Sequence, residues 1–143
     1  MTNQMIQSAR GWIGTRFVHQ GRVKKTAVHK GGCDCIGFVV GVLNEVGRGD
    51  IACHDKTDYA RVPNGMQLFY ELRKVLQQVP DVDMRAGDIA LFKFDKNPQH
   101  VGIISETDKQ QTLIHCYLQA RGVVEHRFDE IWQKRLVAVF RID

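Results

Sequence analysis

Gly31 to Gly47 reads GGCDCIGFVVGVLNEVG, with a cysteine, Cys35, standing where a long apolar run begins. Four roles suit such a cysteine: core packing, metal ligation, half of a disulfide, or nucleophilic attack. The run Ile36, Val39, Val40, Val42, Leu43 and Val46 leaves almost no polar face, which predicts a buried helix stopped at Gly47. Asp34 is placed to cap that helix. Cys35 then falls on the first turn, where backbone N–H groups lack internal partners and the macrodipole is positive. Both effects favour thiolate and predict a lowered thiol pKa. Gly31, Gly32 and Gly37 leave room for a substrate backbone. Taken alone, this segment speaks more for core packing than for catalysis.

A nucleophilic cysteine needs a base, usually histidine, and often a third group to orient it. The chain has six histidines. His19, His29, His54 and His126 fall in loops or polar stretches. His100 opens HVGIIS, and His115 lies inside TLIHCYL. A hairpin centred near Thr107 to Asp108 would set position 100 opposite 115, with Cβ atoms roughly 5 Å apart. A one-residue slip would turn His115 to the other face. Each histidine taken singly reads as a satisfied polar side chain. The joint pattern shifts the balance: Cys at a helix start, His at a strand start, and a second His on the next strand. Cys116 neighbours His115 and is expected on the opposite face.

The elements that must position these groups follow from periodicity. Met5, Ile6, Ala9, Trp12 and Ile13 recur at helical spacing after Thr2 or Asn3 as cap, ending at Gly14. A polar loop from Thr15 to Gly32 leads into the cysteine helix. Arg48 to Pro63 reads as a second long loop. Asn64 precedes an amphipathic helix through Met66, Phe69, Leu72, Val75, Leu76 and Val79, ending before Pro80. After Gly87 the period changes: DIALFKF, HVGIIS, TLIHCYL, GVVEHRF and LVAVFRI are short β-rich runs, with a brief helix near Asp129 to Lys134. Helices first and strands last predict an α+β fold, an antiparallel sheet covered on one side by helices.

The 143 residues predict a single domain, 1–143, long enough for a core of its own. Hydrophobic residues make up 43% and charged residues 25%, values of an ordinary soluble protein. The net charge of +4 is too dispersed to argue for nucleic acid. Arg22, Lys24, Lys25 and Lys30 read as a solvated loop. MTNQMIQSARGW lacks the apolar core of a signal peptide, and no stretch reaches the length of a membrane span. The expectation is synthesis in a reducing cytoplasm, with free thiols rather than a disulfide framework.

Five stretches carry a family resemblance: ARGWIGTRFVHQG (9–21), GCDCIGFVVGV (32–42), RAGDIALFKF (85–94), QHVGII (99–104) and LIHCY (113–117). Together, and in this order, they resemble the NlpC-type papain-like cysteine peptidases of the bacterial cell wall, in particular the phage and prophage branch. The resemblance implies a papain-like α+β fold in which the buried cysteine helix packs on an antiparallel sheet of five to six strands. It implies Cys35 as nucleophile, His100 as general base and acid, and His115 as the group orienting His100. It further implies a peptidoglycan stem peptide as substrate, cleaved beside D-γ-glutamate, with no cofactor, metal, nucleic-acid or membrane partner. For the phage branch it implies a tail-associated component, made in the bacterial cytoplasm and carried in a virion among other tail proteins to act on the cell wall.

Two positions depart from that family's pattern. Its Gly-Thr-Pro-Tyr reads Gly14-Thr15-Arg16-Phe17 here, which removes a hydroxyl; His19 is a nearby replacement donor. Its Asp-Cys-Ser-Gly reads Asp34-Cys35-Ile36-Gly37, so Ile36 lacks the serine hydroxyl while Asp34 remains for a substrate cation. Asp34, Phe17, His19 and Ile36 are therefore the candidate substrate-binding residues. Three other readings compete: a zinc module of His29, Cys33, Cys35, Cys53 and His54, a decayed structural tail protein, and a papain-like amidase or acyltransferase on another substrate.

Overall fold

A computed structural model of the chain describes residues 1–57, 59 and 66–142. Helix α1 (Thr2–Gly11) starts without a side-chain cap, so neither Thr2 nor Asn3 serves as one. The loop after it contains a two-stranded ribbon, β1 (Arg22–Val23) against β2 (Gly32–Cys33). Two residues per strand are too few to leave a period in the sequence.

Helix α2 (Cys35–Glu45) is capped by Asp34, whose carboxylate accepts from the Gly37 N–H at 2.8 Å. Gly47 follows at φ +82°, a left-handed conformation that ends the helix at low steric cost. The expected loop from Arg48 contains a short helix, α3 (Gly49–Ala52), because burying Ile51 and Ala52 fixes one turn. Positions 58 and 60–63 of that loop, and Asn64, lie outside the described residues.

Helix α4 spans Gln67–Val75, and the expected helix does not run on to Val79. Gln77–Val79 is instead strand β3, paired with Val139 to Arg141. Pairing covers an otherwise open sheet edge, and those ladder bonds outweigh local helical propensity.

The sheet strands are β4 (Ile89–Lys93), β5 (Pro98–Thr107), β6 (Gln110–Tyr117), β7 (Gly122–Arg127) and β8 (Leu136–Arg141). With β3 they form a six-stranded antiparallel sheet in the order β3-β8-β4-β5-β6-β7. Short helix α5 (Glu130–Arg135), capped by Asp129, lies between β7 and β8.

Both sheet faces are covered, where the sequence implied one. Ile89, Leu91, Val101, Ile103, Ile114 and Cys116 join the core beneath α1 and α2. Ala90, Phe92, Ile104 and Leu113 pack on the other face against Phe128 and Trp132 of the α5 segment. Strands buried on both sides read as near-continuous apolar runs, and IALF is one. At full burial each such side chain contributes about 1.5–3 kcal/mol.

Asp88, buried at the start of the sheet, is held by a bidentate pair of bonds from Arg141, both 2.8 Å. It also accepts from the Arg85 N–H at 2.9 Å. Arg10 ties α1 to the far strands through Glu125, Ser105 and Thr107 at 3.0–3.1 Å.

Candidate active site

The β5–β6 hairpin turns at Asp108 and Lys109, both left-handed at φ 51° and 67°, the pair of positive angles that a two-residue type I′ turn requires. The register runs from Thr107↔Gln110 to Ile103↔Ile114, so the centre lies one residue later than the sequence implied. One further step sets His115 beside Gly102, not opposite His100. A shift of the centre by one residue moves partners by two, which preserves the face. His100 and His115 therefore meet on the diagonal, with His100 Nε2 2.6 Å from His115 Nδ1.

That contact needs Gly102. A Cβ at position 102 would lie 2.9 Å from the His115 Cβ and 2.7 Å from Leu113 Cδ1. Phe92, Phe94, Tyr117 and Trp132 wall the imidazoles, with ring centroids 5.1–6.0 Å from His100. Arg135 sits over the rings of Phe94 and Trp132 at 5.3 and 4.7 Å.

His100 and His115 are 3% and 0% exposed. Burial, then the Arg135 charge, pushes the His100 pKa down to about 3. Burial, then the neighbouring rings and Arg135, pushes His115 down to about 2. Both rings are neutral at ordinary pH. His100 Nε2 is taken by His115; among the described residues its Nδ1 has no hydrogen-bond partner, and it is not sealed in the interior.

Cys35 occupies the expected first turn of α2, on the opposite layer from the imidazoles. Its thiol is met by the backbone N–H groups of Val101, Ile36 and Cys35 itself, which favour thiolate. Burial and the adjacent Asp34 charge outweigh them and push the thiol up to about 12. The lowered pKa that the helix position implied is thus reversed, because the same position also buries the sulfur beside a carboxylate. The thiol lies at the peptide that follows His100. Among the described residues no Cys35–His100 hydrogen bond is formed.

Asp34 accepts four bonds: Gly37 N–H and Arg22 Nη1 on Oδ1, Gln20 N–H and the Tyr59 hydroxyl on Oδ2. Its acceptor positions are filled by this chain. Arg22 also forks onto Asp55 at 2.7 and 3.0 Å, so it is not the solvated loop charge its composition implied. Tyr59 and Asp55 were not legible as site residues, since the loop that holds them has no period. Tyr59 places a phenol hydroxyl beside Asp34 although Phe17 lacks one.

Phe17 packs against the helix-side core and bridges to Cys33. His19 stands edge-on to Tyr59 at 5.6 Å. Ile36 joins Val39, Val40, Leu72, Val75 and Val101 in lining an apolar cavity of about 150 Å³. The space beside Gly37 is filled by this chain, not left for substrate: a Cβ there would come within 1.9 Å of the Gly21 carbonyl oxygen.

Cys116 faces the helix layer, as alternation required, with its thiol 3.0 Å from the Cys33 carbonyl. Among the described residues no three His, Cys, Asp or Glu side chains are grouped to hold a metal, so the five proposed zinc ligands are not assembled. No helix among the described residues is long and apolar enough to cross a membrane.

His126 is the site residue that sequence reasoning set aside as polar. It lies on β7, with Nε2 2.8 Å from His115 Nε2 and Nδ1 2.9 Å from the Arg127 carbonyl. Its signal was strand parity: Val124 pairs with His115, so position 126 shares that face.

A cysteine on the first turn of a buried helix, set against an antiparallel sheet bearing paired histidines, defines a papain-like fold. The NlpC/P60 family model matches residues 14–141, and the chain belongs to that family. Among solved structures it is similar to the NlpC/p60 domain of the peptidoglycan hydrolase SagA, at 16% identity, TM-score 0.65 and 99% coverage of both chains. It is also similar to an NlpC/P60 family protein from Bacillus cereus ATCC 10987, at 16% identity and TM-score 0.62, covering 99% of this chain and 40% of that one. An N-acetylmuramoyl-L-alanine amidase from Bacteroides uniformis ATCC 8492 matches at 12% identity and TM-score 0.61, with 97% and 96% covered. No curated protein sequence matches significantly.

Proposed function

We propose that this protein is a cysteine peptidase that hydrolyses amide bonds in peptidoglycan stem peptides, beside D-γ-glutamate, as a tail-associated cell-wall hydrolase of a phage or prophage. Family membership and the peptidoglycan hydrolase among the similar structures support the substrate class. The observation that supports the chemistry is the 2.6 Å His100–His115 contact, which leaves His100 Nδ1 free, while the Cys35 thiol takes the backbone N–H of the next residue, Val101.

The thiol and the imidazole both start neutral, so attack is general-base assisted. Cys35 Sγ bonds to the substrate carbonyl carbon as its proton passes to His100 Nδ1. The oxyanion takes the backbone N–H of Cys35. His100 returns the proton to the leaving amine, the C–N bond breaks, and a thioester remains. Water then attacks the thioester, its proton passing through His100 back to sulfur. His115 holds His100 in orientation throughout.

Mass spectrometry of muropeptide digests tests this reading and locates the cut. Cys35→Ala is expected to abolish cleavage with the melting profile retained, and undiminished activity in that variant overturns the proposal. Substitution of Cys33, Cys53 or Cys116 is expected to leave the chemistry running.

A further inference from the structure

We propose that His126 is a positioning residue that sets the proton order of the whole histidine row and thereby makes His100 Nδ1 the base. The inference rests on the catalytic reading above and extends it by one residue. Three imidazoles stand in line: His100 Nε2 to His115 Nδ1 at 2.6 Å, His115 Nε2 to His126 Nε2 at 2.8 Å, and His126 Nδ1 to the Arg127 carbonyl at 2.9 Å.

A carbonyl oxygen can only accept, so His126 Nδ1 must carry a proton. In the neutral ring its Nε2 is then the acceptor. His115 must donate to it from Nε2, which leaves His115 Nδ1 as acceptor. His100 must in turn donate from Nε2, which leaves a lone pair on His100 Nδ1. One backbone carbonyl on β7 therefore fixes three tautomers and ends at the nitrogen that takes the thiol proton. Full burial of His115 removes the water that would otherwise satisfy either of its tautomers. His126, less buried, is the link to the sheet edge, and β7 register holds it: Leu113↔His126 and His115↔Val124.

Without an acceptor at 126, His115 has no partner for an Nε2 proton and can hold it on Nδ1. His100 would then turn its Nε2 into an acceptor and carry the proton on Nδ1, where it is no longer a base for Cys35. His126→Phe removes the acceptor; His126→Gln retains one in its amide oxygen.

Nitrogen-15 spectra of the wild-type protein test the order directly, without any substrate. Protons are expected on Nε2 of His100, Nε2 of His115 and Nδ1 of His126; a proton on Nδ1 of His115 overturns the proposal. On muropeptides, H126F is expected to lower kcat roughly 10- to 100-fold with KM nearly unchanged. This is less than the ~10²–10⁴-fold that a general base itself contributes. H126Q is expected to recover most of that rate. Equal losses in H126F and H126Q, or none in a folded H126F, overturn it. If the wild type cleaves no muropeptide, the functional reading falls while the spectra still decide the proton order. If H126F does not fold, the spectra and H126Q decide.

Discussion

His115 stands beside Gly102, so close that a Cβ at 102 would lie 2.9 Å from the His115 Cβ, and from there its ring reaches diagonally to His100 at 2.6 Å. The sheet backbone and a glycine therefore build the pair together.

Gly102→Ala is expected to reduce activity without touching a reacting group. Its methyl would meet Leu113, His115 and the Ile114 carbonyl at 2.7–3.1 Å. Overpacking of this kind costs about 1–3 kcal/mol. Chemical denaturation should show that loss, and the His100–His115 hydrogen-bonded proton should shift or vanish from the spectrum. Wild-type stability with an unmoved proton signal would show that position 102 does not govern the pair.

Much of this arrangement is legible in the sequence, for physical reasons. Five sheet strands announce themselves as β-branched runs between turn residues, and α2 announces itself as an apolar run bounded by Asp34 and Gly47. What the sequence hides is whatever depends on approach between distant segments. Arg22 and Tyr59 look like loop residues until a fold brings both onto Asp34. The hairpin centre depends on two non-glycine residues accepting positive φ, which no pattern at Asp108 and Lys109 demands. The thiol pKa has opposing causes, and only the fold decides that burial wins over the helix terminus.

Stability is expected to fall on both sides of neutrality. His100 and His115 sit at about 3 and about 2 in the folded protein against an ordinary 6.5. The unfolded chain binds more protons across that interval, so stability declines as pH falls below 6.5 toward 3. Cys35 sits at about 12 against an ordinary 9.0, so the unfolded chain loses its proton first and stability declines as pH rises from 9 toward 12. Denaturant midpoints across pH should trace a plateau between these limbs, and His115→Gln should flatten the acid one. A midpoint unchanged down to about pH 4 would contradict two buried neutral rings.

Alkylation should report the same neutral thiol. Cys53 is exposed and is expected to react with simple reagents, whereas Cys33 and Cys116 are buried. In a Cys53→Ser background, iodoacetamide modification of Cys35 is expected to climb steadily from pH 7 into the alkaline range, because the thiolate is the reacting species. A rate already level at neutral pH would mean that Cys35 rests as thiolate, paired with a charged His100.

Asp34 and Arg22 should move that reactivity in opposite directions. Asp34 is the second cause of the raised Cys35 pKa, after burial. Asparagine caps a helix about as well as aspartate, so Asp34→Asn keeps the Gly37 bond while removing the charge. Thiolate becomes easier to form, and alkylation of Cys35 in the Cys53→Ser background should rise several-fold at fixed pH. Arg22→Ala does the reverse: it leaves Asp34 and Asp55 without the cation they share, strengthens the field on the thiol, and should slow alkylation. Arg22→Ala should also destabilise the fold by about 2–4 kcal/mol. That is toward the low side of the ~3–5 kcal/mol for breaking a buried pair, because the Arg22 side chain keeps 19% exposure. Combining the two substitutions should cost less stability than their sum, since the carboxylate stranded by the first is neutral in the second. Changes of the same sign in Cys35 reactivity for both variants would mean that charge at position 34 does not set the thiol.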